Sequence, residues 1–215
     1  MSPLASCVLA GAVAAQGFEP ARLSSGSLPD RPPPQVIGGG EVLLEVTVGA
    51  DGAVAHVDAL RDTPPFTELL RKAVSGWVFE PATEDARPRA WPVLVAGLFR
   101  PPVLLGPGPG SPPRDVGEPC REIPYPVDMV IPPYPATARG DGFVLVEVTV
   151  GTDGKVTDSR SVEGGDAFGQ AALDAARRWR FRPACRHDHP LSVAAYLVFG
   201  FRSPVTPPKP PGGDR

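Results

Sequence analysis

One stretch of this chain is written twice. Glu41 to Val54 reads EVLLEVTVGADGAV and Phe143 to Val156 reads FVLVEVTVGTDGKV, 102 positions later, with ten of the fourteen residues identical. Pro65 to Trp77 (PFTELLRKAVSGW) returns as Ala167 to Trp179 (AFGQAALDAARRW), and Val78 to Ala82 (VFEPA) returns as Arg180 to Ala184 (RFRPA). No gap separates the copies from Glu41 to Ala82. A spacing held this strictly marks a duplicated structural unit rather than shared composition. In 215 residues it leaves room for two units of roughly 70 to 100 residues each.

Within each copy the pattern spells β-β-α-β. Val42, Leu44, Val46 and Val48 alternate with Leu43, Glu45 and Thr47, the period of a half-buried strand. Asp51-Gly52 then separates this strand from Ala53 to Leu60, and Asp-Gly is a hairpin signal because both residue types tolerate positive φ. Thr63-Pro64-Pro65 offers a capping residue and prolines suited to a first helical turn. Phe66, Leu69, Leu70, Ala73, Val74 and Trp77 follow at i, i+3, i+4, i+7, i+8 and i+11, one continuous apolar stripe. Pro92 to Phe99 (PVLVAGLF) has the composition of a closing strand.

The second copy repeats each element. Val144, Val146, Val148 and Val150 form its strand face, Asp153-Gly154 its turn, and Phe168, Ala171, Ala172, Ala175, Ala176 and Trp179 its helix stripe. Arg177, Arg178 and Arg180 crowd the helix end, where positive charge suits the dipole. Both tryptophans complete apolar stripes and read as core anchors rather than ligand stackers.

Thirty prolines and twenty-four glycines gather outside these units and divide the rest of the chain. Residues 1–16 form a signal-like segment: Leu4 to Ala15 is apolar and Ala12-Val13-Ala14 suits signal peptidase, although no Lys or Arg precedes Arg22. Twelve apolar residues are too few to span a bilayer, which takes about 20. A Pro/Gly-rich lead-in at 17–39 reads as a flexible entry into the first unit at 40–100. A linker at 101–119 precedes the second unit at 120–203, and 204–215 is a tail of low structural propensity. The glycine run Gly38-Gly39-Gly40 has no preceding strand and no Lys-Ser/Thr pair, so it is not a phosphate loop.

A net charge of -3 and a pI near 5.6 exclude a chain built around nucleic acid. No nucleophile-base-acid set or carboxylate pair is visible, because Asp51 and Asp153 are turn residues, and an enzyme is not expected. Neither is a cofactor. Cys7, Cys120 and Cys185 make an odd count. A bridge between Cys120 and Cys185 would clamp the entry of the second unit to the segment after its helix; two free thiols are the alternative. Cys185, His187 and His189 form a C-x-H-x-H cluster whose spacing matches no common zinc pattern.

Tyr134-Pro135-Ala136 with a downstream Ala and Arg, the V-x-V-x-V strand, Asp153-Gly154 with Val156, and Ala175-Ala176-Arg177-Arg178-Trp179-Arg180-Phe181-Arg182-Pro183 together resemble the TonB C-terminal domain over residues 131 to 202. The first copy resembles the same domain through its strand, Asp51-Gly52, Trp77, Phe79 and Pro81, but lacks the Tyr-Pro entry and the arginines beside Trp77. The fold this implies is α+β: two tandem TonB C-terminal-like modules, the first degenerate, each a three-stranded antiparallel sheet backed by a helix. Ile131 to Arg139 is expected to start a short helix after its last proline.

The resemblance implies a periplasmic location, membrane-associated if the true N-terminus lies upstream. It implies a partner, the extended peptide of a TonB-dependent outer-membrane receptor, added to an exposed sheet edge by β-augmentation. Leu191 to Phe201 is the candidate edge by that analogy, with Tyr134, Pro135, Val193, Ala195, Leu197 and Phe199 as peptide contacts. ExbB- and ExbD-like motor proteins and a second copy of the chain are further partners of this class. Energy-transducing members carry an inner-membrane helix and a long spacer, and neither is legible here. That departure favours the alternative of a periplasmic adaptor or structural envelope protein without its own anchor.

Overall fold

The computed structural model describes residues 17–36, 38–101, 120–165 and 167–203. The signal-like segment with Cys7, the linker from residue 102 to 119 and the tail lie outside the described residues. The first half contributes β1 (Phe18–Glu19), β2 (Arg22–Ser25), β3 (Gly40–Val48), β4 (Val54–Arg61), α1 (Phe66–Val74), β5 (Val78–Glu80), β6 (Ala82–Glu84), β7 (Arg87–Arg89) and β8 (Trp91–Phe99). The second contributes β9 (Tyr125–Asp128), β10 (Gly142–Val150), β11 (Val156–Gly164), α2 (Gly169–Ala176), β12 (Arg180–Arg182), β13 (Ala184–Arg186), β14 (His189–Leu191) and β15 (Val193–Phe201). Among the described residues the chain is predominantly β with two helices, an α+β arrangement.

Each half places its closing strand beside its first strand, and both closing strands then meet. The result is one six-stranded sheet in the order β11-β10-β15-β8-β3-β4. All neighbours are antiparallel except β15 and β8, which run parallel with Ala195 opposite Leu94 and Tyr196 opposite Val95. Residues opposite one another share a face and successive residues alternate. This register therefore sets the two halves back to front. Phe66, Leu70 and Val74 of α1 pack with Val42, Leu44, Val46, Val93 and Val95. On the other face Ala172, Ala175 and Ala176 of α2 pack with Val144, Val146, Val148, Ala195, Leu197 and Phe199.

Each half therefore has a second, helix-free sheet face to cover, and the partner half's core and entry segment cover it. Leu145, Tyr196 and Val198 are buried in the core that contains α1, together with Ala21 and Leu23 of the lead-in. Conversely, Leu43, Leu94, Ala96 and Leu98 are buried in the core that contains α2, with Ile123 and Tyr125. The buried Leu23 N–H donates to the Tyr196 hydroxyl at 2.8 Å, and Trp77 Nε1 donates to the Ser27 carbonyl at 2.9 Å. Trp179 Nε1 makes the matching bond to the Val130 carbonyl at 3.0 Å. The lead-in expected to be a flexible entry is thus part of the fold. It carries β1 and β2, and β2 pairs with β5 much as β9 pairs with β12.

Three further expectations change. No helix forms within Ile131–Arg139; a single turn with Ala138 N–H on the Pro135 carbonyl at 3.1 Å takes its place. Both helices end before their tryptophans, which are reached by a tightened last turn in which Trp77 N–H bonds Val74 and Trp179 N–H bonds Ala176. In the hairpins only Gly52 (φ 82°) and Gly154 (φ 77°) adopt positive φ. The aspartates stay in ordinary backbone conformations and accept from Ala53 N–H at 3.1 Å and Lys155 N–H at 3.0 Å. Glycine is required for a second reason. Gly52 and Gly154 accept from Phe79 and Phe181 N–H at 2.8 Å, and a Cβ at either position would collide with the carbonyl of that same phenylalanine.

At the end of the sheet where β8 and β15 begin, Glu84 of the first half meets Arg186 and Arg89. The Arg186 guanidinium holds the Glu84 carboxyl below the usual carboxylate range, with Arg89 adding to it. Because this pKa is depressed, the contribution is present at neutral pH and is lost as pH falls through the folded value. Arg186 also lies 4.5 Å from the Phe18 ring centroid and 5.8 Å from that of Trp91.

Two substitutions test this architecture. Tyr196→Phe leaves the Leu23 N–H buried without an acceptor and is expected to cost about 1–3 kcal/mol in urea unfolding. Gly154→Ala combines left-handed strain with a backbone collision and is expected to cost about 2 kcal/mol or more. The exposed Ala136→Gly exchange serves as a control with little effect.

Candidate functional site

Residues after β9 leave its ladder with β12 and run to the end of β8, where Arg100 meets the Pro132 carbonyl. Val127 and Ile131 are among the few large apolar side chains exposed to solvent, at 56% and 37%. Pro132 and Pro133 keep the chain extended, since a residue before proline avoids the helical region. Tyr134 then turns its ring edge-on to Phe168 at 5.6 Å, and Phe168 stacks on Phe201 at 4.6 Å. The Tyr134 hydroxyl donates to the Gly140 carbonyl at 2.8 Å. The ring is therefore braced from two sides while one flank stays open.

That flank forms a cleft of about 490 Å³ lined by Arg100, Tyr134, Pro135, Ala138, Arg139 and Ser203, among others. Arg100 follows directly on β8 and reaches across from the first half, donating through Nη1 to the Pro132 carbonyl at 2.6 Å. Burial holds its guanidinium below the ordinary arginine range. Arg139 donates to the Ala138 carbonyl at 3.1 Å. Asp141, close by in sequence, accepts from the N–H of the cleft-lining Ser203 at 2.7 Å and lies 3.8 Å from Arg202 Nε.

The expected contact residues therefore separate. Tyr134 and Pro135 share the cleft. Val193, Ala195, Leu197 and Phe199 do not join them, because β15 is a central strand paired to β10 on one side and β8 on the other. All four are buried, and Phe199 packs edge-on against Trp179 at 5.8 Å. The expected edge at Leu191 to Phe201 is corrected accordingly: its backbone groups are already satisfied within the chain. A sequence signal for this existed in the unbroken apolar runs VLVAGLF and VAAYLVFGF, the pattern of strands covered on both faces.

The true outer edges are β4 and β11. Both ladders are interrupted by bulges, a common way of blunting an edge. Arg71 of α1 donates to the Val57 carbonyl on β4. At the equivalent position of β11, Arg177 donates to Ser159 Oγ at 3.0 Å. Arg100 carries no binding signature in the sequence, because it belongs to the copy without the Tyr-Pro entry. Its only signal is an arginine directly after the closing strand in both copies, Phe99-Arg100 and Phe201-Arg202.

Cys120 and Cys185 form a disulfide with Cα atoms 5.1 Å apart, beside the Cys185 N–H bond to the Arg121 carbonyl at 2.7 Å. In the first half the corresponding join is the short β1–β6 ladder. Asp188 lies close to both sulfurs, but sulfurs bonded to one another offer no thiolate to a metal. His187 sits in the left-handed turn between β13 and β14 (φ 49°) and is exposed, as is His189.

Residues 131–202 match the family model described as Gram-negative bacterial TonB protein C-terminal. The matched span is a third of the chain and contains Tyr134, Pro135 and Arg139 of the cleft together with β10 to β15, while Arg100 and Ser203 lie outside it. No curated protein matches the chain. The TonB C-terminal family is a non-enzymatic, transport-associated family of the cell envelope whose members interact with outer-membrane receptors. Among the described residues no helix is long and apolar enough to cross a membrane.

Reducing the bridge provides a test of how far it supports this region. Opening a loop of 65 residues is expected to lower stability by about 4 kcal/mol. Urea unfolding with and without dithiothreitol measures it.

Proposed function

We propose that this chain is a TonB-like periplasmic protein-binding component of outer-membrane transport, built from two tandem modules, 40–100 and 120–203, of which the second engages an extended receptor peptide. The observation that carries this reading is the open cleft at Tyr134-Pro135, most of whose lining residues fall in the family-matching span. The exposed Val127, in β9, and Ile131 lie on the stretch that leads into this cleft. A peptide running past Val127 and Ile131 towards Tyr134 would cover apolar surface that the fold leaves in water, and the proline-stiffened segment loses little entropy in receiving it. The filled edge of β15 moves the docking place from the closing strand to this segment.

A second reading is favoured by that same filled edge. A module whose central strand is already paired within the chain suits a non-energised adaptor or structural envelope protein, with the tandem copies acting as one rigid body.

Titration of the whole isotopically labelled chain with a panel of extended receptor peptides separates the two. Receptor binding predicts saturable shifts centred on Val127, Ile131 and Tyr134, and at least roughly tenfold weaker binding for Tyr134→Ala, the loss typical of an aromatic anchor. If no peptide of the panel shifts these signals, the receptor reading is wrong and the adaptor reading stands.

A further inference from the structure

The cleft beside Tyr134 has a charge that the apolar docking surface does not explain. Arg100 and Arg139 both line it and, among the described residues, no carboxylate does. Many of the other described arginines are balanced. Arg61 pairs with Glu41 at 3.0 Å, Arg121 with Glu45 at 2.8 Å, Arg160 with Glu147 at 2.8 Å, and Arg186 with Glu84. Arg202, which occupies the position equivalent to Arg100 in the second copy, has Asp141 at 3.8 Å. Neither Arg100 nor Arg139 makes an ion pair among the described residues. Two arginines without an ion pair among the described residues thus share one concave place, walled by an aromatic ring and two prolines.

The geometry suits one ligand group. Arg100 is anchored by a single bond to the Pro132 carbonyl, and a guanidinium has five N–H donors in a planar fork, so the rest of the fork is available. A carboxylate meets such a fork through two parallel bonds. Tyr134, Pro133 and Pro135 would hold the methylene stem behind it.

We propose that this cleft is a carboxylate-recognition subsite, formed jointly by Arg100 of the first half and Arg139 of the second, that reads an acidic side chain within an extended peptide. The proposal rests on the peptide-binding reading above and deepens it by naming the partner's chemistry. It also gives the first copy a part in binding.

The test uses the whole chain and one receptor-type peptide, blocked at both termini, with a single Glu, against its Glu→Gln counterpart. Calorimetry is expected to show the Glu peptide binding roughly tenfold tighter, the size typical of a hydrogen-bonded charge. That preference should weaken with salt, and it should collapse in Arg100→Gln and in Arg139→Gln. Arg139 is exposed, so its variant will fold even if Arg100→Gln perturbs the segment around Pro132; thermal melts of both check this. Equal binding of Glu and Gln peptides to the wild-type chain, or a preference that survives both substitutions, overturns the carboxylate subsite while leaving peptide binding intact. Failure of both peptides to bind removes the peptide reading itself. If an unblocked Gln peptide binds as tightly as the blocked Glu peptide, the cleft reads a chain terminus and the side-chain assignment is wrong.

Discussion

The parallel pairing of β8 with β15 is the contact on which the rest of the molecule depends. Each half alone would end in a closing strand with a row of unpaired backbone groups, a surface that invites another chain. Joining the two closing strands removes both rows at once. Because the join is parallel and the side chains alternate, it also turns the halves back to front and sends α1 and α2 to opposite faces. Each half then presents a bare apolar face, which the other half's entry segment helps to cover. Leu23 on Tyr196 is the clearest case. The halves are consequently not beads on a linker: separating them would expose Leu145, Tyr196 and Val198 on one piece and Leu43, Leu94 and Leu98 on the other.

A duplication within one chain allows what a symmetric pair of identical chains does not. At a two-fold axis identical residues meet their own kind, so a charge there would face a like charge. Here the equivalent positions 84 and 186 carry Glu and Arg and attract each other. The equivalent arginines 100 and 202 have diverged in surroundings rather than identity: Arg202 has Asp141 beside it, whereas Arg100 looks into an open cleft. That asymmetry is where the proposed carboxylate subsite lies. A second copy of the chain, for its part, is left the outer edges β4 and β11, which are bulged and bear charged side chains.

Much of the local structure was legible from residues because it depends on short-range physics. The alternation in Val42 to Val48 and its copy and the Asp-Gly turns formed at the expected places, and the helices formed on the expected stripes but stop three residues short of their tryptophans. Each signal is carried by neighbours in sequence. The lead-in was not legible, since Arg22 to Ser25 becomes a strand only through β5, fifty-six residues on, and proline-rich composition alone speaks for a flexible connection. Tyr134 and Pro135 could be singled out from a motif. Arg100 could not, because its proximity to them is created by the β8–β15 join.

By itself the sequence determined that there are two equivalent units, where their strands, turns and helices fall, which residues are apolar on both sides of a strand, and that the second unit carries the TonB C-terminal pattern. Whether those units share a sheet, which strands end at its centre and which side chains converge from different halves were decided only in tertiary structure. The reason is physical. Periodicity records which way a side chain points relative to its own strand, but an exposed-looking backbone edge has no preferred partner until a second edge of matching length and register is folded beside it.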